Sequence, residues 1–122
     1  MQWFGHFDRK AFLKKRLIEL NDGKPATGKV FIDIPAGPGG FSRILKELGF
    51  DVRPFDFLPE IFNVEGLKCE YSNMEESIAI GDESADFLIC EEGIEHVSDQ
   101  MKLLAEFNRV LKPGGRLFIT TP

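Results

Sequence analysis

The stretch VFIDIPAGPGGFS, at residues 30–42, decides the fold of this 122-residue chain. Its first half is a short apolar run that contains Asp33 and predicts a buried parallel strand. Residues 35–40 hold too many glycines and prolines for a helix or a strand, whereas residues 41–48 have apolar side chains at helical spacing. A strand, a glycine-rich turn and a helix start predict a nucleotide cradle, in which backbone N–H groups face the ligand.

Two acidic residues support this interpretation. Asp33 closes the first predicted strand, at a point where a carboxylate can meet an amine. Asp56 ends the next predicted strand, and an acid at about this distance from the first strand suits the hydroxyls of a ribose. The glycine-rich turn holds no Lys or Arg for a phosphate, so we expect an uncharged or cationic nucleoside rather than ATP.

Composition indicates one domain with a sizeable core, because 43% of the residues are hydrophobic and 12 of them are Phe. There is no bilayer-spanning apolar run and no signal peptide, so we expect no membrane partner. Cys69 and Cys90 are too few for a disulfide framework, which favours a cytoplasmic location. No His/Cys cluster has metal-ligand spacing, so no metal is expected.

Charge is distributed unevenly along the chain. Residues 1–50 hold nine Lys and Arg against five Asp and Glu, whereas residues 51–122 hold six against fifteen. A basic helix near the start is able to contact phosphates, but a solvated face that balances the acidic half is the interpretation we favour. We therefore do not expect nucleic acid as a partner.

The remaining elements alternate between helix and strand. We assign residues 1–27 to an N-terminal helical lead-in that packs on the sheet, with a helix at residues 8–20; Trp3 and His6 either overhang a ligand or simply lead into that helix. Ser98 is expected to cap a later helix, and Pro54 to mark the end of the second strand. Further strands are predicted at residues 51–55, 67–71, 85–90 and 116–121. This alternation predicts an α/β fold with a parallel sheet.

Polar residues gather at the carboxyl ends of these strands, where parallel α/β sheets bind ligands. They are Asp33, Asp56, Asn73 and the segment at residues 90–92. Four separate segments that converge on one crevice indicate a ligand site more strongly than the glycine turn alone.

Several motifs together resemble the class I S-adenosylmethionine-dependent methyltransferases, and within them the type 11 group. They are IDIPAGPGGFSRIL, VRPFDFLPE, YSNMEE, SADFLICEEGIEHVSD and RVLKPGGRLFITTP. The resemblance covers residues 28–122, which would form the S-adenosylmethionine-binding core. It implies a Rossmann-like three-layer sandwich with a mostly parallel sheet.

The resemblance also implies roles for individual residues. Asp33 would face the amino end of the methionine moiety, Asp56 would accept both ribose hydroxyls, and Asn73 would hydrogen-bond the adenine amino group. An acidic pocket suits the sulfonium cation. The expected cofactor-binding residues are Asp33, Pro35, Ala36, Gly37, Gly39, Phe41, Asp56, Phe57, Leu58, Asn73, Met74, Cys90, Glu91 and Glu92.

For the chemistry, the protein needs chiefly to position the nucleophile, because the cofactor is already activated. His96 is the candidate catalytic base, since neutral imidazole accepts a proton near neutral pH. The alternative is a structural His that leads into a helix. We expect Glu95 to be solvated, and we do not expect Cys90 to act as a nucleophile.

Two departures from the family pattern matter. Pro35 replaces the first glycine of the usual G-x-G-x-G, which fixes φ there and removes a donor. The stretch DIPAGPGGFS also resembles the loop of ribosomal-RNA 2′-O-methyltransferases, although the Lys–Asp–Lys–Glu set of those enzymes is not recognisable.

The second departure is length. Chains of the type 11 group usually continue past the fifth strand, so this chain would lack the C-terminal strands and leave RLFITT as an apolar edge. We expect a homodimer or a partner subunit to cover it.

Several functions stay open. The first is an S-adenosylmethionine-dependent methyltransferase that acts on a small-molecule acceptor. Alternatives are a non-catalytic module that binds S-adenosylmethionine or S-adenosylhomocysteine, a methyltransferase subunit completed by a partner, and an RNA methyltransferase. An idle scaffold is disfavoured because Asp33, Asp56 and Glu92 stand at the strand ends, and nothing else indicates the nicotinamide site of a dinucleotide enzyme.

Overall fold

The computed structural model describes residues 8–121, which form a five-stranded parallel sheet with helices on both faces. The helices are α1 (Arg9–Leu20), α2 (Gly40–Glu47) and α3 (Gln100–Val110). The strands are β1 (Val30–Asp33), β2 (Asp51–Asp56), β3 (Glu70–Tyr71), β4 (Ala85–Glu91) and β5 (Leu111–Thr120). Their order in the sheet is β3-β2-β1-β4-β5, and every pairing is parallel. The predicted α/β fold is therefore confirmed.

The alternation of side chains along β1 divides the core into two layers. Phe31 packs with Leu13 and Leu17 of α1 and with apolar residues of α2. Ile32, its neighbour, faces the opposite side and packs with Leu103 and other apolar residues of α3. Because β1 and β4 lie at the centre of the sheet, their ends are held rigidly by both layers.

Each long flanking helix begins with an aspartate cap. Asp8 accepts a hydrogen bond from the Ala11 N–H, 3.0 Å away, and Asp99 caps α3 in the same way. The prediction that Ser98 caps α3 was wrong. Its N–H and hydroxyl both donate to Glu75, at 2.8 and 3.3 Å, whereas the Lys102 N–H of the first helical turn bonds to Asp99.

Pro54 does not end β2, contrary to the prediction. The Phe55 carbonyl accepts from Ala36 on the β1 side, and backbone groups of successive strand residues point in opposite directions. The backbone nitrogen of Pro54 therefore points toward the β3 side of the strand. There β3 pairs only with the last two residues of β2, so the N–H group that proline lacks is not needed for pairing. The third strand consists of Glu70–Tyr71 and is therefore shorter than the predicted strand at residues 67–71.

Within residues 8–121, β5 pairs with β4 alone and forms one edge of the sheet. Leu117 and Ile119, on this strand, are 36% and 39% exposed. None of the helices in this part of the chain has the length and apolarity that a membrane crossing requires.

Candidate functional site

A cavity of about 340 Å³ lies at the carboxyl ends of the strands. Its walls come from the segments that follow β1, β2, β3 and β4: Ile34, Pro35, Asp56, Phe57, Ser72, Asn73, Met74, Glu75, His96 and Val97. The structure thus brings six predicted site residues to one cavity, namely Pro35, Asp56, Phe57, Asn73, Met74 and His96. Such a volume falls in the range of small-molecule and cofactor sites.

Asp56 is fixed at the edge of this cavity by two backbone donors. The Gly37 N–H bonds to one carboxylate oxygen and the Leu58 N–H to the other, each at 2.8 Å. One donor comes from the glycine-rich turn and the other from the loop after β2. Each oxygen keeps a further acceptor position, so the oriented carboxylate is able to receive two hydroxyl groups.

The residues predicted to flank an adenine lie beside Asp56. Phe57 lines the cavity and is 56% exposed, with its ring centroid 5.6 Å from that of Tyr71. Leu58 is exposed next to it. Asn73 accepts a hydrogen bond from the Glu75 N–H at 2.9 Å, which fixes its side chain in a turn. The apolar side chains of Phe57 and Leu58 and the oriented amide of Asn73 therefore lie in the same region of the site.

Asp33 lies behind the cavity wall rather than in it. Its side chain is 1% exposed and accepts a hydrogen bond from the Ser42 hydroxyl at 2.6 Å. Burial raises the pKa of this carboxyl to about 7, and the bond from Ser42 opposes the increase. Asp33 is thus a predicted site residue that the structure does not bring to the cavity wall.

The glycine-rich turn uses its glycines in two ways. Gly37 has a positive φ, and a Cβ there would meet nothing within 4 Å, so its surface is open. Gly39 also has a positive φ, but a Cβ there would collide with Val64 and Phe62. Gly39 therefore allows the turn to pack on a neighbouring loop. Phe41 likewise lies in the core between α1 and α2.

The end of β4 is acidic. Glu91 follows Cys90, and burial together with neighbouring Glu92 raises the pKa of the Glu91 carboxyl. Glu92 has a positive φ of 49°, donates its N–H to Thr120, and forms an ion pair with Arg9 at 2.6 Å. Cys90 is fully buried, and burial raises the pKa of its thiol to about 11, so it stays protonated.

His96 stands at the rim of the cavity with 76% of its side chain exposed. Its Nε2 lies 3.5 Å from an oxygen of Glu95, which is longer than an ordinary hydrogen bond. Both carboxylate oxygens of Glu95 are buried and have no hydrogen-bond partner among residues 8–121, contrary to the expectation that Glu95 is solvated.

Several contributors to the site were missed from the sequence, among them Ile34, Glu75 and Val97 of the cavity wall. Ser42 holds Asp33, Ser72 lines the cavity, and Gly93 approaches Pro35 so closely that a Cβ would lie 2.6 Å from its Cδ. Serine and glycine are common residues, and only the tertiary approach reveals these roles. Trp3 and His6 lie outside the described residues. Within 8–121, no group of three His, Cys, Asp or Glu side chains is arranged to hold a metal ion.

Comparisons with known proteins identify the family of this chain. A family described as "Methyltransferase domain" matches residues 4–122. The ubiquinone biosynthesis O-methyltransferase of Xylella fastidiosa is 30% identical over 87% of this chain and 47% of its own length. The human mitochondrial protein of the same name is 30% identical over 93% of this chain and 35% of its own length. The chain thus spans about half the length, or less, of these relatives.

Solved structures show the same fold. An S-adenosylmethionine-dependent methyltransferase from Mesorhizobium loti superposes with a TM-score of 0.71 at 21% identity, over 80% of this chain and 49% of that one. Phosphoethanolamine N-methyltransferase 1 of Haemonchus contortus, solved with S-adenosylhomocysteine, gives 0.68 at 22% identity, over 88% and 25% of the two chains. The Rossmann-like fold is therefore confirmed, and the chain belongs to the methyltransferase domain family, of the type 11-like class I that depends on S-adenosylmethionine.

Proposed function

We propose that this chain binds S-adenosylmethionine in the strand-end cavity and supports transfer of its methyl group to a small-molecule acceptor. The observation that carries the proposal is the Asp56 carboxylate, which two backbone N–H groups orient at the cavity edge. A carboxylate at the end of the second strand is the group that a ribose diol needs. Family membership supports the same cofactor.

The walls of the cavity suit the nucleoside half of this cofactor. Asp56 would accept the two ribose hydroxyls with its remaining acceptor positions. Phe57 and Leu58 would cover the adenine ring with apolar surface, and Asn73 and the Met74 backbone would meet its polar edge. The open surface at Gly37 allows the ligand to approach the backbone there.

The methionine half would extend toward the glycine-rich turn and the end of β4. When bound, the cofactor supplies an activated methyl group on a sulfonium cation. The carboxyl groups of Asp33, Glu91 and Glu92 lie toward this end, and a bound cation would favour their ionised forms. The backbone of Ala36 and Gly37 and the carbonyl of Cys90 would line it, whereas Pro35, Gly39 and Phe41 shape the turn.

We propose an oxygen atom as the acceptor, because the curated relatives are named O-methyltransferases. A hydroxyl must lose its proton as it attacks, and His96 stands at the rim of the cavity, where its imidazole is accessible. His96 would take that proton as a general base. An acceptor would enter past this rim.

We further propose that a second copy of the chain covers β5. The exposed edge of a strand is complementary to itself when two copies meet about a twofold axis, and Leu117 and Ile119 would be buried between them. A reducing compartment such as the cytoplasm is proposed because Cys69 and Cys90 are free thiols.

Calorimetric titration tests the cofactor proposal. Wild-type protein should bind S-adenosylmethionine and S-adenosylhomocysteine, and Asp56→Ala should weaken both by at least about tenfold, since it removes charge-assisted hydrogen bonds. Asp51→Ala, at the exposed start of the same strand, is the matched control and should bind normally. Equal binding by wild type and Asp56→Ala would contradict the assignment.

A screen of small molecules that carry a hydroxyl group, with labelled cofactor, then tests catalysis. His96→Gln should lower kcat by about 10²-fold or more while cofactor affinity is kept, because only proton removal is lost. Cofactor binding without transfer to any acceptor would instead support the non-catalytic binding module.

A further inference from the structure

Ser72 carries a buried hydroxyl that has no hydrogen-bond partner in the described part of the chain. The residue is 5% exposed, follows β3 directly and lines the strand-end cavity. Its Oγ is inaccessible to solvent and makes no hydrogen bond within residues 8–121. Most buried polar atoms in proteins are hydrogen-bonded, so an exception at a cavity wall requires a reason.

Other serines of the chain show the usual behaviour. The hydroxyl of Ser42 donates to Asp33, that of Ser84 donates to the Gly81 carbonyl at 2.7 Å, and that of Ser98 donates to Glu75. Each of these hydroxyls therefore helps to hold a loop or a buried acid. Ser72 differs because its hydroxyl does neither.

The backbone holds Ser72 in place without help from its side chain. Its N–H donates to the Asp56 carbonyl at 2.9 Å, which ties it to the end of β2. The turn that follows is closed by Asn73 and Glu75. An alanine at position 72 would thus serve the fold equally well, so the fold alone does not account for the hydroxyl.

We propose that the Ser72 hydroxyl hydrogen-bonds the purine edge of the bound nucleoside and contributes to recognition of the base. This inference rests on the proposed cofactor site. Ser72 shares the cavity wall with Asp56, whose carbonyl accepts from its N–H, with the adjacent Asn73 and with the apolar ring of Phe57. A purine edge carries ring nitrogens that accept and, in adenine, an amino group that donates. A serine hydroxyl is able to pair with either.

Ser72→Ala separates a ligand role from a structural role. The variant should have an unfolding midpoint at or above that of the wild type without ligand, because it removes a buried hydroxyl that lacks a partner. It should bind S-adenosylhomocysteine about fivefold to tenfold more weakly, the value of one ordinary hydrogen bond. Adenosine, which has no methionine moiety, should lose affinity by the same factor.

Ser77→Ala is the matched control, since Ser77 is exposed on the same loop and lies outside this cavity. It should leave both the midpoint and the affinities unchanged. Wild-type affinity in Ser72→Ala, or weaker binding together with a lower ligand-free midpoint, would overturn the inference. So would a loss for S-adenosylhomocysteine that adenosine does not show.

The Asp56→Ala titration distinguishes this failure from failure of the proposed function. If wild type binds and Asp56→Ala does not, while Ser72→Ala binds normally, only the role of Ser72 is wrong. If wild type binds neither S-adenosylhomocysteine nor adenosine, both proposals are overturned.

Discussion

Ser42 donates its hydroxyl hydrogen bond to the Asp33 carboxylate over 2.6 Å, and both side chains are buried. The pair joins the last residue of β1 to the first turn of α2, so the glycine-rich turn is anchored at both ends. Burial raises the pKa of Asp33 to about 7, well above its value in an unfolded chain. The contribution of this buried pair to stability therefore depends on pH.

We predict that Asp33→Asn flattens the pH dependence of stability. Between about pH 4 and about pH 7 the native state holds a proton on Asp33 that the unfolded state has released, so stability falls as the pH rises through this window. The loss is at most roughly 4 kcal/mol by linkage. Asparagine keeps the acceptor for Ser42 but does not ionise.

Urea unfolding at several pH values within this window measures the effect. The difference in unfolding free energy between Asp33→Asn and wild type should grow in favour of the variant as the pH rises. Asp51→Asn, an exposed control on β2, should follow the wild type. Parallel curves for wild type and Asp33→Asn would show that Asp33 titrates normally.

The space at Gly93 gives a second prediction. Its φ of −123° suits any residue, but an added Cβ would lie 2.6 Å from Pro35 and 3.1 Å from Met74. Gly93→Ala should therefore push the loop away from the cavity, cost about 1–3 kcal/mol of stability and weaken binding of S-adenosylhomocysteine. Thermal unfolding and calorimetry report the two effects.

Gly81→Ala is the control, because a Cβ there would make only an ordinary contact with Ser84. It should leave cofactor affinity unchanged. Tight binding by Gly93→Ala would mean that the loop shifts freely and that its approach to Pro35 does not shape the cavity.

Arg109 ties the loop before β4 to α3. Its guanidinium donates to Glu106, Asp82 and the carbonyls of Ile78 and Ile80, at 2.6 to 2.9 Å. Arg109→Lys keeps the charge but loses the planar fork, so we expect about 1–3 kcal/mol of destabilisation. Arg16→Lys, in an exposed pair with Glu19, should cost little. Equal unfolding midpoints for the two variants would contradict this role.

The sequence was sufficient to predict the parts of the site that depend on strand ends. A parallel sheet brings the carboxyl ends of its strands to one edge, which predicts that Asp56 and Asn73 lie near each other, and both line the same cavity. The RVLKPGG motif similarly predicted α3 and a following strand, but β5 begins at Leu111 and includes the residues expected to form a turn before residue 116. These sequence patterns are local, and the fold class alone is enough to place them in the structure.

The remaining features depend on contacts between distant segments. That Asp33 is buried behind Ser42, and that Gly93 approaches Pro35, follows from how the turns pack and not from residue type. Asp99 rather than Ser98 caps α3, and Ser98 instead donates to Glu75, 23 residues earlier. Local propensity does not contain this contact between distant segments.

The exposed edge of the sheet gives the last prediction. Leu117 pairs in register with Leu88 on β4 but is 36% exposed, and Ile119 beside it is 39% exposed. If a second copy covers this strand, sedimentation should show a dimer whose fraction rises with protein concentration, and Leu117→Lys should shift the protein to monomer. Met101→Lys, at a more exposed apolar residue on α3, should leave the dimer intact. A wild type that stays monomeric at high concentration would contradict the proposal, because a long apolar edge that meets another copy is expected to pair with it.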